Sequence, residues 1–102
     1  MIKVDEVTKA EQRNPQEKHV KVQLVWGGTG ESKDAEVTVD EIAGQVFELV
    51  YQRFHQQKSD EDTFEVNEKD FPRSRFGETV ESMISHYGER LEFEVIPPTS
   101  GA

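Results

Sequence analysis

Apolar and polar residues alternate in two stretches near the start of the chain, and this pattern predicts a β-hairpin. The apolar positions are Val20, Val22, Leu24 and Trp26 in the first stretch and Ala35, Val37 and Val39 in the second. Successive side chains of a strand point to opposite faces, so each stretch is typical of a strand with one buried face. The glycine-rich segment 27–30 predicts the turn between them. Trp26 continues the inward set and is expected in the core.

The segment that follows has the spacing of an amphipathic helix. Thr38 and Glu41 fit a capping box with Thr38 as the N-cap, and Val37 and Ile42 then occupy the positions of a hydrophobic staple. The apolar stripe comprises Ile42, Val46, Leu49, Val50 and Phe54. Gly44 is expected to permit close packing of this helix on the sheet. Phe47 and Tyr51 lie beside the stripe and predict a secondary apolar edge, which is a second candidate contact surface.

The rest of the chain contains shorter elements. Phe64 and Val66 predict a short strand, a loop containing Pro72 and Gly77 follows, and a short helical turn is expected over 80–84. The last strand, 90–96, has its apolar positions at Leu91, Phe93 and Val95. This order predicts an α+β domain, with a mixed sheet of four or five strands and one main helix packed across one face.

The two ends of the chain differ in composition from its middle. Residues 1–18 are polar and mixed in charge, which predicts a flexible N-terminal extension. Residues 97–102 begin with two prolines, which lack the N–H that a strand needs, and they predict a flexible C-terminal arm. The folded domain is therefore expected over 19–96.

Charge and cysteine content exclude several classes of function. The chain has 12 Lys and Arg residues against 21 Asp and Glu residues, a net charge of −9, and it contains no cysteine. Such a chain repels phosphate backbones and anionic membrane surfaces, so we expect neither nucleic-acid nor membrane binding. Without thiols it forms no disulfide, thiolate zinc site or catalytic cysteine. No apolar run resembles a membrane helix or a secretory signal, so a cytoplasmic monomer is expected.

No motif in the sequence has the spacing that catalysis or metal binding requires. Segment 27–33 lacks the Gly-Lys-Ser/Thr of a phosphate loop, and His19, His55 and His86 fall in separate elements. The acidic segment 60–62 lacks the spacing of a calcium loop and is expected to be solvated. We therefore expect a protein that is not an enzyme and that needs no cofactor or metal.

The predicted order of elements, with these lengths, resembles the ubiquitin-like β-grasp fold. The local similarity is greatest near the C-terminus, where Gly77-Glu78-Thr79-Val80-Glu81-Ser82 looks like the Gly-Arg-Thr-Leu-Ser-Asp turn of ubiquitin. Leu91, Phe93 and Val95 then fall on three leucines of ubiquitin's last strand. The resemblance extends over about 20–96 with few identities, and bacterial ubiquitin-like modifiers tolerate N-terminal extensions of this kind. It implies a fold that serves many functions.

Two departures from ubiquitin bear on function. Family modifiers end in Gly-Gly, whereas this arm ends in Gly101-Ala102, so removal of Ala102 would be needed to expose a terminal glycine. The exposed isoleucine and valine of ubiquitin's binding face correspond to Glu65 and Glu94, with Glu92 on the same side. These carboxylates form either an ordinary solvated face or a docking surface for a basic partner. Ile96, at the base of the arm, joins the partner-binding candidates.

The resemblance leaves two functional hypotheses. The first is a ubiquitin-like modifier, which a processing protease trims to Gly101 and which activating-like and conjugating-like enzymes attach to target amines. The alternative is a non-covalent subunit of a larger protein assembly, which docks through the acidic sheet face. In both, the chain acts through protein partners.

Overall fold

The computed structural model describes residues 18–98, and its sheet contains five strands. The predicted extension over residues 1–17 and the arm residues from 99 onward, including Gly101 and Ala102, lie outside the described residues. The strands are β1 (His19–Trp26), β2 (Glu31–Thr38), β3 (Thr63–Val66), β4 (Lys69–Asp70) and β5 (Leu91–Ile96). The helices are α1 (Ala43–Phe54) and α2 (Val80–Tyr87), and a 3₁₀ helix covers Arg73–Arg75.

The sheet has the order β2-β1-β5-β3-β4 and is mixed, as the sequence predicts. β1 and β5 are parallel neighbours, and the other pairs are antiparallel. The β1–β2 turn confirms the predicted hairpin, with the amides of Thr29 and Gly30 donating to the Trp26 carbonyl at 3.2 and 2.8 Å. β4 was not predicted, because its two residues are too few to show an alternation.

The core lies between one face of the sheet and α1. Trp26 is buried there, as predicted. The ring of Phe47 is central, with centroids of four other phenylalanine rings 4.9–5.9 Å away. Those partners are Phe64, Phe71, Phe76 and Phe93. Aromatic side chains bury a large apolar area each, which allows a short chain of low hydrophobic content to form a continuous core.

The buried face of α1 differs from the predicted stripe. Phe47 and Tyr51 are both buried, so the prediction of a secondary apolar edge available to partners is wrong. Ile42 is 37% exposed and lies before the helix, so it does not form the predicted staple. The predicted stripe was centred too far to one side of the helix, because it included Ile42 and Leu49, whereas the buried face of α1 consists of Ala43, Val46, Phe47, Val50, Tyr51 and Phe54.

The predicted capping box is also absent. Thr38 is the last residue of β2, and its hydroxyl donates to the Asp40 carboxylate at 2.7 Å instead of accepting from the Glu41 amide. The N-cap is Ile42, which has extended dihedral angles and provides no side-chain acceptor. The helix therefore begins four residues later than a Thr38 N-cap predicts.

Backbone carbonyls from a distant loop take the place of a side-chain cap. The Ala43 amide donates to the Glu78 carbonyl at 2.8 Å, and the Gly44 amide donates to the Phe76 carbonyl at 3.0 Å. A Cβ on Gly44 would lie 3.3 Å from Phe76, so this glycine permits close approach to the loop and not, as predicted, to the sheet. These contacts satisfy helix donors that otherwise need a cap.

α2 extends the predicted turn at 80–84 to two full turns. Thr79 is its N-cap, and the Thr79 hydroxyl accepts from the Ser82 amide at 3.1 Å. This is the standard role of a threonine at a helix start. Within residues 18–98, neither helix is long and apolar enough to cross a bilayer.

Candidate functional site

The outer face of the sheet carries a group of carboxylates on adjacent strands. Glu65 of β3 and Glu94 of β5 are direct partners in the antiparallel ladder. Glu92 lies on the same face of β5 as Glu94, because it is two residues away. Glu68, in the β3–β4 turn, adds to the same negative field. We call Glu65, Glu68, Glu92 and Glu94 the acidic face.

The residues of β1 directly opposite the acidic face carry no charge. Glu92 and Glu94 are opposite Gln23 and Val25 of β1, neither of which carries a charge. Within residues 18–98, side-chain ion pairs join Lys58 to Glu48 and Arg75 to Glu78, and none reaches the acidic face. A like-charge pair opposite one another costs a sheet about 0.2–1 kcal/mol. The fold therefore keeps an arrangement that lowers its own stability.

The electrostatics of Glu94 follow from its position. The pKa of the Glu94 carboxyl is raised above its usual range, first by partial burial and then by the charges of Glu65, Glu92 and Glu68. Both causes disfavour the ionised form. A cationic partner group placed here would stabilise ionised Glu94 and relieve the repulsion.

A two-residue turn between β3 and β4 positions Glu68 in the acidic face. Asn67 and Glu68 both have positive φ angles, 52° and 69°, which is the conformation of a tight hairpin turn between β3 and β4. The Asn67 side chain fastens this turn to β5: its amide donates to the Arg90 carbonyl at 2.9 Å, and its oxygen accepts from the Glu92 amide at 2.8 Å. Sequence analysis missed Glu68, although an asparagine after a strand is a recognised signal for such a turn.

Ile96 is half-buried at the end of β5, opposite Thr63 of β3. It lies on the outer face, two residues beyond Glu94. The structure thus brings four of the six sequence-predicted site residues onto one face, and Gly101 and Ala102 lie outside the described residues.

One carboxylate of the 60–62 segment is not solvated as predicted. Asp62 is 3% exposed, and its Oδ2 accepts hydrogen bonds from the Tyr51 hydroxyl and from the Ser59 amide, the latter at 2.9 Å. Burial, followed by the hydrogen bond to Asp62, raises the pKa of Tyr51. The prediction failed because the Tyr51 hydroxyl comes from a different element.

The described residues provide no metal site. His19, His55 and His86 are exposed and lie in separate elements. Between residues 18 and 98, no three side chains of the ligand-forming types (His, Cys, Asp and Glu) are placed to hold an ion.

Solved structures resemble this arrangement. The ubiquitin of Caldiarchaeum subterraneum superposes with a TM-score of 0.61 at 22% identity, covering 83% of this chain and all of that one. The present chain therefore has a ubiquitin-like β-grasp fold. A ubiquitin-like domain from tubulin-binding cofactor B gives a TM-score of 0.62 at 4% identity, covering 84% of this chain and 97% of that domain. The UBL domain of yeast Ddi1 gives 0.58 at 14% identity, covering 80% and 94%.

No protein-family model and no curated protein matches the sequence. The ubiquitin-like structures include a ubiquitin and domains of other proteins, so the fold confirms the resemblance without choosing between the two hypotheses.

Proposed function

We propose that this ubiquitin-like domain is a protein-docking module that binds a basic partner surface through the acidic face. The observation that carries the proposal is the direct pairing of Glu65 with Glu94, beside Glu92. The pair weakens the isolated domain, and cations of a partner would remove that penalty on binding. The net charge of −9 would also steer a basic partner during diffusional encounter.

On this proposal the domain is a recognition element and not an enzyme. Any chemistry in the assembly is then performed by the partner.

Charge reversal tests the docking proposal. We compare the triple variant Glu65→Lys, Glu92→Lys, Glu94→Lys with a control that carries Glu61→Lys, Glu81→Lys and Glu89→Lys. The control changes the net charge equally but alters exposed residues elsewhere. Partner binding in the native host, quantified by mass spectrometry, should fall about tenfold or more for the first variant only, since each exposed ion pair contributes about 0.2–1 kcal/mol.

Salt provides a second test of the same proposal. The Debye length, over which exposed charges interact, is about 8 Å at physiological ionic strength and becomes shorter at higher salt. Binding through the acidic face should therefore weaken as salt is added. Binding that is indifferent to salt, or reduced equally in the control variant, would contradict docking through the acidic face.

The modifier hypothesis, which comes first in the sequence analysis, is the second candidate function here. β5 lies between β1 and β3, in the middle of the sheet, and it leads directly into Pro97-Pro98. After a protease removes Ala102, an activating enzyme would transfer the AMP group of ATP to the Gly101 carboxylate and release pyrophosphate. The amine of a target would then form an amide bond with the Gly101 carbonyl carbon, and AMP would leave with the proton lost by the amine. The chain would contribute the carboxylate and the acidic face would contribute recognition.

Mass spectrometry of N-terminally tagged protein from its native host tests conjugation. Trypsin cleaves after Arg90, so a conjugate would leave residues 91–101 attached to a target lysine. The modifier hypothesis predicts this branch, and it predicts the loss of the branch when Gly101 is deleted. Intact chains ending at Ala102, with no adduct, would exclude conjugation under those conditions and leave the docking proposal standing.

A further inference from the structure

The glycine-rich turn between β1 and β2 is packed against the end of β5. The Gly27 amide donates to the Val95 carbonyl at 2.7 Å, which continues the parallel β1–β5 ladder one residue beyond Trp26. The turn therefore does more than reverse the chain, because it also contacts the segment from which the C-terminal arm leaves.

Gly27 is in a position that admits no side chain. A Cβ there would lie 2.9 Å from three atoms: the Val95 carbonyl oxygen, Oε2 of Glu94 and Cγ1 of Ile96. The two side chains can move, but the carbonyl oxygen belongs to the central strand. The absence of a Cβ thus allows the turn to approach β5 closely.

Gly28 makes the corresponding approach to the arm. A Cβ on Gly28 would lie 2.8 Å from Nε1 of Trp26 and 3.2 Å from Cγ of Pro97. The Trp26 indole nitrogen and the Pro97 ring therefore both lie close to the position that a side chain of residue 28 would occupy. Gly77, by contrast, has no atom within 4 Å of its Cβ position. Close packing is a property of the 27–28 pair and not of every loop glycine.

We propose that Gly27 and Gly28 form a seat for Ile96 and Pro97, and that this seat fixes the position and direction in which the chain leaves the domain. The ring of proline locks φ near −65°, so two consecutive prolines keep the chain extended in one direction, with a rise of about 3 Å per residue. Gly27, Gly28 and Trp26 are positioning residues in this proposal.

The role of the seat rests on the modifier hypothesis, in which the arm carries the reacting carboxylate. A conjugating active site must reach Gly101 while it holds the domain, and Gly101 is three residues beyond Pro98. A fixed point at which the chain leaves the domain restricts the positions that the Gly101 carboxylate can reach. More encounters with the conjugating enzyme would then have a productive geometry. The Glu94 carboxylate also lies close to Gly27.

NMR spectroscopy of the full chain tests the seat without any partner. The unmodified chain should show nuclear Overhauser contacts between the Trp26 indole N–H and the Pro97 ring protons, together with slow exchange of the Gly27 amide. Gly28→Val should abolish the Trp26–Pro97 contact and accelerate Gly27 exchange about tenfold or more. The control Gly77→Val should change neither, and the Leu24–Phe93 cross-strand contact should persist in both variants.

Pro97→Ala provides a variant that leaves the turn intact. It should increase the picosecond–nanosecond mobility of the Ile96 amide while Gly27 keeps its position in the ladder. A missing Trp26–Pro97 contact in the unmodified chain, or a contact that survives Gly28→Val, would overturn the seat. So would an Ile96 amide as rigid in Pro97→Ala as before.

These results are independent of conjugation. A seat observed in a chain that forms no adduct would contradict the modifier hypothesis and not the seat. An adduct that depends on Gly101, in a chain without the Trp26–Pro97 contact, would contradict the seat and not the modifier hypothesis.

Discussion

The two faces of β5 have opposite consequences for the domain. Leu91, Phe93 and Val95 are buried against the core, whereas Glu92 and Glu94 alternate with them and lie half-buried on the outer face. The inner face lowers the free energy of the folded state through apolar burial. The outer face raises it, because Glu94 is opposite Glu65. A single strand thus separates the residues that hold the fold from those available for recognition.

This separation depends on the place of β5 in the sheet. β5 has neighbours on both sides, and its residues Phe93, Glu94 and Val95 each have a partner on both β1 and β3. A charged side chain on the outer face of a central strand cannot extend past the edge of the sheet into water. Side chains of the two neighbouring strands therefore influence its pKa. The same pair on an edge strand would be better solvated and would cost less.

The largest expected effect is on the inner face. Phe93→Ala should lower the free energy of unfolding by about 3–5 kcal/mol, because it removes a fully buried ring that packs on Phe47. Urea denaturation measures the change, and loss of folding altogether agrees with it. Ile96→Ala, on the outer face of the same strand, is the control and should cost much less. Equal losses in the two variants would contradict the division of roles between the faces.

The next largest effect on the free energy of unfolding is expected at a buried carboxylate. Tyr51→Phe removes a hydrogen bond to Asp62, which is buried, and should destabilise the domain by about 1–3 kcal/mol. Thermal or urea unfolding measures the loss. Glu92→Gln, which changes a carboxylate on the acidic face, should cause no comparable loss. Unchanged stability in Tyr51→Phe would show that the Tyr51–Asp62 bond does not contribute.

The smallest effect should have the opposite sign. Glu94→Gln removes one charge of the paired carboxylates and should stabilise the domain by about 0.2–1 kcal/mol at neutral pH. A carboxyl whose pKa is raised by folding favours the folded state at low pH and loses that contribution as pH rises through its folded pKa. The gain from Glu94→Gln should therefore shrink on acidification. A gain that is constant with pH would contradict the electrostatic explanation.

Glu78 provides a control for the direction of this pH dependence, because folding shifts the pKa of its carboxyl the opposite way. Arg75 forms two hydrogen bonds to its carboxylate, at 2.7 and 3.2 Å, and holds the pKa of Glu78 below its usual range. Its contribution is present above the unfolded pKa and is lost as pH falls through the folded pKa. Glu78→Gln should thus destabilise the domain at neutral pH, and this loss should disappear in acid.

Local periodicity was sufficient to predict most of the sheet and the order of elements. The alternation in β1 and β5 is regular, and residues two apart share a face whatever the rest of the chain does. The same rule placed Glu92 and Glu94 together, and the resemblance to ubiquitin placed Glu65 beside them. The ladder brings Glu65 and Glu94 directly opposite one another.

Three of the failures involve contacts between residues that lie in different elements. The capping-box prediction at Thr38 failed because carbonyls of Phe76 and Glu78 satisfy the start of α1. Segment 60–62 was expected in water because no local pattern indicates that the Tyr51 hydroxyl, from α1, is a partner of Asp62. The contact of Pro97 with Gly28 was missed because no local pattern joins a turn to the end of a strand nearly 70 residues later.

Site-specific photo-crosslinking tests the central claim most directly. We place one photoreactive residue at Gln23, which is opposite Glu92, and in a separate protein the same residue at exposed Gln52 on α1. In the native host, crosslinks to basic segments of a partner should form from position 23 and not from position 52. They should disappear in the Glu65→Lys, Glu92→Lys, Glu94→Lys variant. Equal crosslinking from both positions, or crosslinking from position 23 that survives charge reversal, would contradict docking through the acidic face.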